Sequence, residues 1–379
     1  MFKKFTAPEN LEEKLEIFNL LKFNLVSSLK LMELLALLIL GAGLGWRISS
    51  FFTNMLGPFY GTPIAVAALL LFVLLLRLPP VFILTKLYGD FGLDLRPSGP
   101  RLKKMASLSF YHFLLAWVAS LLLLAGLHFM PLWIWTVASL AASFFILMLA
   151  SNYPGLADLA EFRQLRPGDL PDYTLVQLDQ WSGKTGVGSK DILISTTFNP
   201  VLEAPSLFGL GRKTRLIVPE RALAVLPPKE MNFLVLTAAI GGVANAQLKF
   251  IFLRFCALAT AFPLAAILIA TWGSSMWGYP LMINPSLVVY AWLGLWLGVN
   301  LAEISERFTR RSIEVQLAAA VSTILVDQDI PQSAYAALGS KNLAESSPPL
   351  WRAVFLKRHG VSEMLKRIRY QCHLAKFED

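Results

Sequence analysis

Side chains that bind metals are scarce in this chain, with 4 histidines and 2 cysteines among 379 residues. No CxxC pair exists, and no two histidines stand one helical turn apart, so the usual zinc modules are excluded. Cys256 falls in an apolar run and Cys372 in a polar tail, which leaves no disulfide to expect. Charge is also sparse, at 16% of residues against 55% hydrophobic, and the mean hydropathy of +0.57 excludes a soluble two-domain protein. Lysine and arginine are missing altogether from 53–62, 128–131 and 273–284. No cleavable signal sequence opens the chain: its first twenty residues are charged and amphipathic, with Leu11, Leu15, Phe18 and Leu21 at helical spacing.

Long apolar runs are present instead. Six cover about 31–52, 63–86, 106–128, 131–150, 250–272 and 285–303, each long enough to cross a bilayer. The expected fold is therefore mainly α, a polytopic integral membrane protein of about six transmembrane helices with a small cytoplasmic α+β element. The net charge of +9 lies in alternate loops, which encodes membrane orientation rather than nucleic-acid binding. It places both termini and every sizeable soluble segment in the cytoplasm, as in a bacterial inner membrane protein. Membrane lipid is thus an expected partner, and a basic helix within the tail could touch anionic lipid.

Four regions follow. Residues 1–150 hold the amphipathic N-terminus and four spans, 151–228 a strand-containing cytoplasmic segment, 229–326 a central helix with two further spans and a second helix, and 327–379 a cytoplasmic tail. Two nucleotide-loop look-alikes fail. Gly41-Ala-Gly-Leu-Gly45 sits inside an apolar run and reads as close helix packing. Gly183-Lys-Thr185 lacks the glycine a phosphate loop needs five residues earlier, where Leu178 stands. Glu33, Arg77 and Arg254 are ionisable groups near membrane depth, where they need a partner or water, and a wet cavity for a lipid or small-molecule carrier is one reading of them. His112 and His128 lie near opposite ends of one span and read as packed or interfacial residues.

Glu230 to Lys249 reads as one helix after Pro227-Pro228, with an acid at its start, a lysine at its end and Gly241-Gly242 within it. Asp191–Ser195 and Thr214–Pro219 read as short strands. The order of parts resembles the membrane-embedded zinc metallopeptidases that include the type I CAAX prenyl proteases and heat-shock membrane proteases. Phe91-Gly-Leu after an early span, Glu203-Ala-Pro-Ser-Leu-Phe-Gly-Leu-Gly-Arg ahead of Arg215-Leu-Ile-Val, Pro228-Lys-Glu230 at a helix start, and Arg311-Ser-Ile-Glu314 after two more spans carry the likeness.

That resemblance implies His-Glu-x-x-His on the central helix and a glutamate on the later one. The two histidine positions fall at Ala238 and Gly242, the general base at Ala239, and the third ligand at Glu314; the acid following it falls at Ala318. Zinc is expected for the family, but its ligands are missing here, so no catalytic or metal residue is assigned. The implied chain is a catalytically inactive metallopeptidase-like protein, or pseudoprotease, that binds polypeptide or regulates a partner. An extended polypeptide client would pair along Thr214–Val218, beside Glu203, Ala204, Arg215 and Ile217. The alternative in another class is an active metalloendopeptidase with a relocated site at His359 or His373. Another membrane protein is a further possible partner, while nucleic acid and nucleotide are not expected.

Overall fold

The structure is a computed structural model and describes residues 11–93, 98–153, 161–196, 202–210, 214–243, 245–273, 284–325 and 330–341. The chain is a mainly helical, polytopic integral membrane protein with a small sheet. Five stretches are long and apolar enough to cross a membrane. The first, Glu16–Asp90, has 75 residues, far more than the ~20 a bilayer needs, and holds two crossings. Helix α1 (Leu11–Ile39) runs through a π-helical turn, Leu40–Leu44, into α2 (Gly45–Asp90), which reverses at Gly57 with φ 74°. The reversal is so tight that a Cβ on Gly61 would overlap the Phe52 carbonyl. The expected six crossings are therefore present as a hairpin and four single helices. The singles are α3 (Ser98–Phe129), α4 (Leu132–Ala150), α8 (Ala246–Leu268) and α9 (Leu287–Leu325).

Lipid cannot satisfy polar groups, so donors inside the bundle find acceptors on neighbouring helices. Indole nitrogens do much of this. Trp117 donates to the Pro63 carbonyl at 2.9 Å, Trp135 to the Leu123 carbonyl at 3.0 Å, and Trp292 to Ser120 Oγ at 2.9 Å. Tyr290 Oη donates to the Gly41 carbonyl at 2.9 Å, inside the π-helical turn where Gly43 takes φ 126°. The glycine cluster there serves helix packing, as expected.

Glu33 does have its partner: Arg77 lies 2.7 Å from one carboxylate oxygen and Trp296 Nε1 donates to the other at 3.0 Å. Lys30 bonds Asn300 at 2.6 Å and Glu303 at 2.9 Å, so α1 is pinned to α9 by two polar contacts a helical turn apart. The pairing accounts for Glu33 and Arg77 without a wet cavity.

Helices α8 and α9 approach closest of all. A Cβ on Gly294 or Gly298 would overlap Ala265 or Ala261, the close packing that small residues permit between membrane helices. Beyond the bilayer α9 continues without a break to Leu325, so the last span and the second motif helix are one rod.

At the N-terminus Phe18 is fully buried against Leu87, Phe91 and Leu93, while Lys22 lies over the rings of Phe18 and Tyr88. The amphipathic face thus packs on the Phe91-Gly-Leu turn.

The sheet-containing element outside the spans has a four-stranded sheet in the order β1-β2-β4-β3. Its strands are β1 (Phe162–Gln164), β2 (Ile192–Ser195), β3 (Ser206–Phe208) and β4 (Arg215–Pro219). Helices α5 (Asp172–Thr185), α6 (Glu220–Val225), α7 (Pro228–Ile240) and α10 (Ile330–Lys341) complete it. Ile192, Ile194, Leu216 and Val218 from the sheet share one buried core with Phe233, Leu236 and Ala239 of α7 and Ala318 and Val321 of α9. Arg163 on β1 bridges Asp169 at 2.6 Å and Glu220 at 3.0 Å. The Arg163 guanidinium, opposed by partial burial, holds the Asp169 carboxyl below the usual carboxylate range.

Replacing Tyr290 with Phe removes the donor to Gly41 and should lower stability by about 0.5–1.5 kcal/mol. Thermal unfolding in detergent, with Tyr290→Phe melting below the parent protein, is the check.

Candidate functional site

The expected helix from Glu230 to Lys249 is two helices. Helix α7 stops at Ile240, and the last amides tighten to bonds three residues back, from Gly241 to Ala238, Gly242 to Ala239 and Val243 to Ile240. Asn245 then adopts φ 49°, and α8 starts at Ala246. Gly-Gly followed by asparagine is a helix-stop signal, since glycine and asparagine tolerate the conformations that end helices. Reading Gly241-Gly242 as the interior of one helix hid that stop.

Packing is nonetheless tight around them. A Cβ at Gly242 would overlap the carbonyl oxygen of Thr185, the last residue of α5. One at Gly241 would stand 3.2 Å from Leu207 Cδ1 on β3 and 3.5 Å from Leu317 Cδ1 on α9. Ala239 and Ala318 are fully buried in the seam between α7 and α9, while Ala238 is half-buried. Three elements that sequence spacing could not bring together, α5, β3 and α9, therefore converge on the end of α7.

Glu314 lies on α9 one turn before Leu317, on the flank covered by α10. There Tyr335 packs edge-on to Phe233, with ring centroids 6.1 Å apart. The Tyr335 hydroxyl is pushed above its ordinary range first by burial and then by the negative charge of Glu314. The Glu314 carboxylate is thus held beside a neutral phenol. The side chains of Arg310 and Arg311 lie outside the described residues, as do His359 and His373.

The strand assignments at 191–195 and 214–219 agree with β2 and β4, but the placing of the client does not. Strand β4 is interior: Ile217 pairs with Leu193 of parallel β2 on one side and with Ser206 of antiparallel β3 on the other. Both of its ladders are filled, so Thr214–Val218 offers no free edge, and Arg215 instead pairs with Asp191. The outer strand is β3, whose three residues were too short to read as a strand. Glu203 and Ala204 are exposed just ahead of it. At β3 the Leu207 carbonyl accepts from the side-chain amide of Gln247, on the first turn of α8.

Gly183-Lys-Thr185 forms the C-terminal turn of α5, closed by Gly186 at φ 71°. That is the negative end of a helix dipole and so the wrong end for phosphate.

Zinc needs three or four donor side chains. Ala238, Ala239 and Gly242 supply none, and the space for a side chain at Gly242 is filled by the Thr185 carbonyl. Among the described residues no group of three or more His, Cys, Asp or Glu is placed to hold a metal ion. The described residues do not fit a zinc site.

No protein-family model matches the chain, and no curated protein matches it. Among solved structures it is similar to the crystal structure of Ste24p from S. mikatae, with a TM-score of 0.66 and 14% identity over 86% of this chain and 79% of that one. The chain shares the fold of that protein.

Gly242→Ala should lower stability by about 1–3 kcal/mol, the usual cost of forcing extra volume into a packed site. Gly183→Ala, on an exposed face with nothing within 4 Å of the added atom, should be neutral or raise it by about 0.5–1 kcal/mol. Unfolding midpoints of the two variants in detergent separate a packing role at Gly242 from a general effect of losing glycine.

Proposed function

We propose that the protein is a pseudoprotease, a non-hydrolytic relative of the membrane zinc metallopeptidases that holds a polypeptide or regulates a partner without cutting. The observation that carries this reading is the end of α7. The positions that would bear two histidines and a general base are Ala238, Gly242 and Ala239, and the surrounding Thr185, Leu207 and Leu317 close the space instead. A metal-bound water needs both ligands and a base, and the seam provides neither.

The binding half of the reading rests on β3. Strand β3 (Ser206–Phe208) is an outer strand beside the end of α7, and a sheet edge recognises an extended polypeptide through main-chain bonds that need no metal. Glu203 and Ala204, exposed just ahead of it, extend the same surface. Arg215 and Ile217 support that edge from behind, through β4. In this reading the soluble element, both termini and the tail face the cytoplasm of a bacterial inner membrane, following the basic loops.

The test is metal content and peptide cleavage measured together on detergent-purified protein, with an active zinc metallopeptidase of this fold as control. The expected result is folded protein with no stoichiometric zinc and no cleavage. Stoichiometric zinc with chelator-sensitive cleavage overturns the proposal.

A further inference from the structure

The strand edge beside the end of α7 is not open. Strand β3 is the last in its sheet, and one of its main-chain acceptors, the Leu207 carbonyl, is taken by Gln247. Because the β4 side of β3 is filled by its ladder, the Gln247 bond is read as coming from the free side of the strand, where an added strand would lie. The donor is an amide N–H, the same kind of donor that a peptide bond supplies. It stands where the first main-chain donor of a bound polypeptide would stand.

Gln247 is held there by the chain's own geometry. Gly241 sits between Leu207 and Leu317, Asn245 turns the backbone at φ 49°, and α8 starts one residue later, which puts its first turn against β3. Sheet edges left uncovered invite unwanted pairing, and proteins block them with local devices. A glutamine side chain is a reversible device of this type: it fills the acceptor with one bond and can swing aside about its own rotors.

We propose that Gln247 is a latch on the polypeptide-binding edge, so that an extended chain adds to β3 only after the Gln247 amide leaves Leu207. The inference rests on the reading of β3 as the binding edge. The latch costs the incoming chain the hydrogen bond it displaces and sets the threshold for binding. Two substitutions release it. Gln247→Ala removes the amide, and Gln247→Glu keeps the length but, as a carboxylate, has no hydrogen to donate.

The probe is a fluorescein-labelled peptide of alternating threonine and valine, with a second version methylated on every backbone nitrogen so that neither edge can pair. Binding is read by anisotropy on the full-length protein in detergent, after thermal melts show each variant folded. The expected result is affinity raised about fivefold in both Gln247→Ala and Gln247→Glu, the worth of one ordinary hydrogen bond, with the methylated peptide unbound throughout. Equal affinity in parent and variants, with the methylated peptide still rejected, overturns the latch and leaves the edge reading standing. Binding of the methylated peptide, or no binding to any form, overturns both.

Discussion

Close contact between the backbones of α8 and α9 governs the rest of the molecule. Gly294 and Gly298 lie so near Ala265 and Ala261 that no side chain fits between them. In a bilayer, where apolar surface gains little by leaving lipid, such close packing is what joins helices. Helix α9 is therefore fixed against α8 in the membrane, to α1 through Lys30, Asn300 and Glu303, and to α3 through Trp292 and Ser120. Because it runs on unbroken, the same helix sets where Leu317 and Ala318 meet α7. The membrane packing and the seam between α7 and α9 are one structural problem.

Much of this was legible in the sequence. Runs of twenty apolar residues have one reading in water and lipid, and all six emerged as crossings. Glu33 and Arg77 announced a need for compensation because isolated charges at membrane depth are costly, and the structure pairs them. Ile-Leu-Ile and Leu-Ile-Val marked β2 and β4 by β-branched composition. Strands β1 and β3, with three residues each, carry too few side chains for a period-two pattern to show.

The candidate site was legible in its chemistry and not in its geometry. That Ala238 and Gly242 carry no metal donor could be read directly, because a donor atom is either present or absent. Where the helix ends could not be settled by polarity: Ala-Ala-Ile-Gly-Gly-Val suits a buried helix and a buried stop equally well, and only Asn245 tips the balance. The place of β4 in the middle of the sheet was hidden for a different reason. Strand order is decided by long-range pairing between segments tens of residues apart, which local composition does not encode.

The length of α9 has a mechanical consequence. Its 39 residues make a rod about 58 Å long at 1.5 Å per residue, so a tilt of about 5° about its outer end would carry the other end sideways by about 5 Å. Helices in bilayers tilt readily as the thickness of the hydrocarbon layer changes. In this protein such a tilt would slide Leu317 past Gly241, and the thickness of the surrounding bilayer would be felt at the sheet.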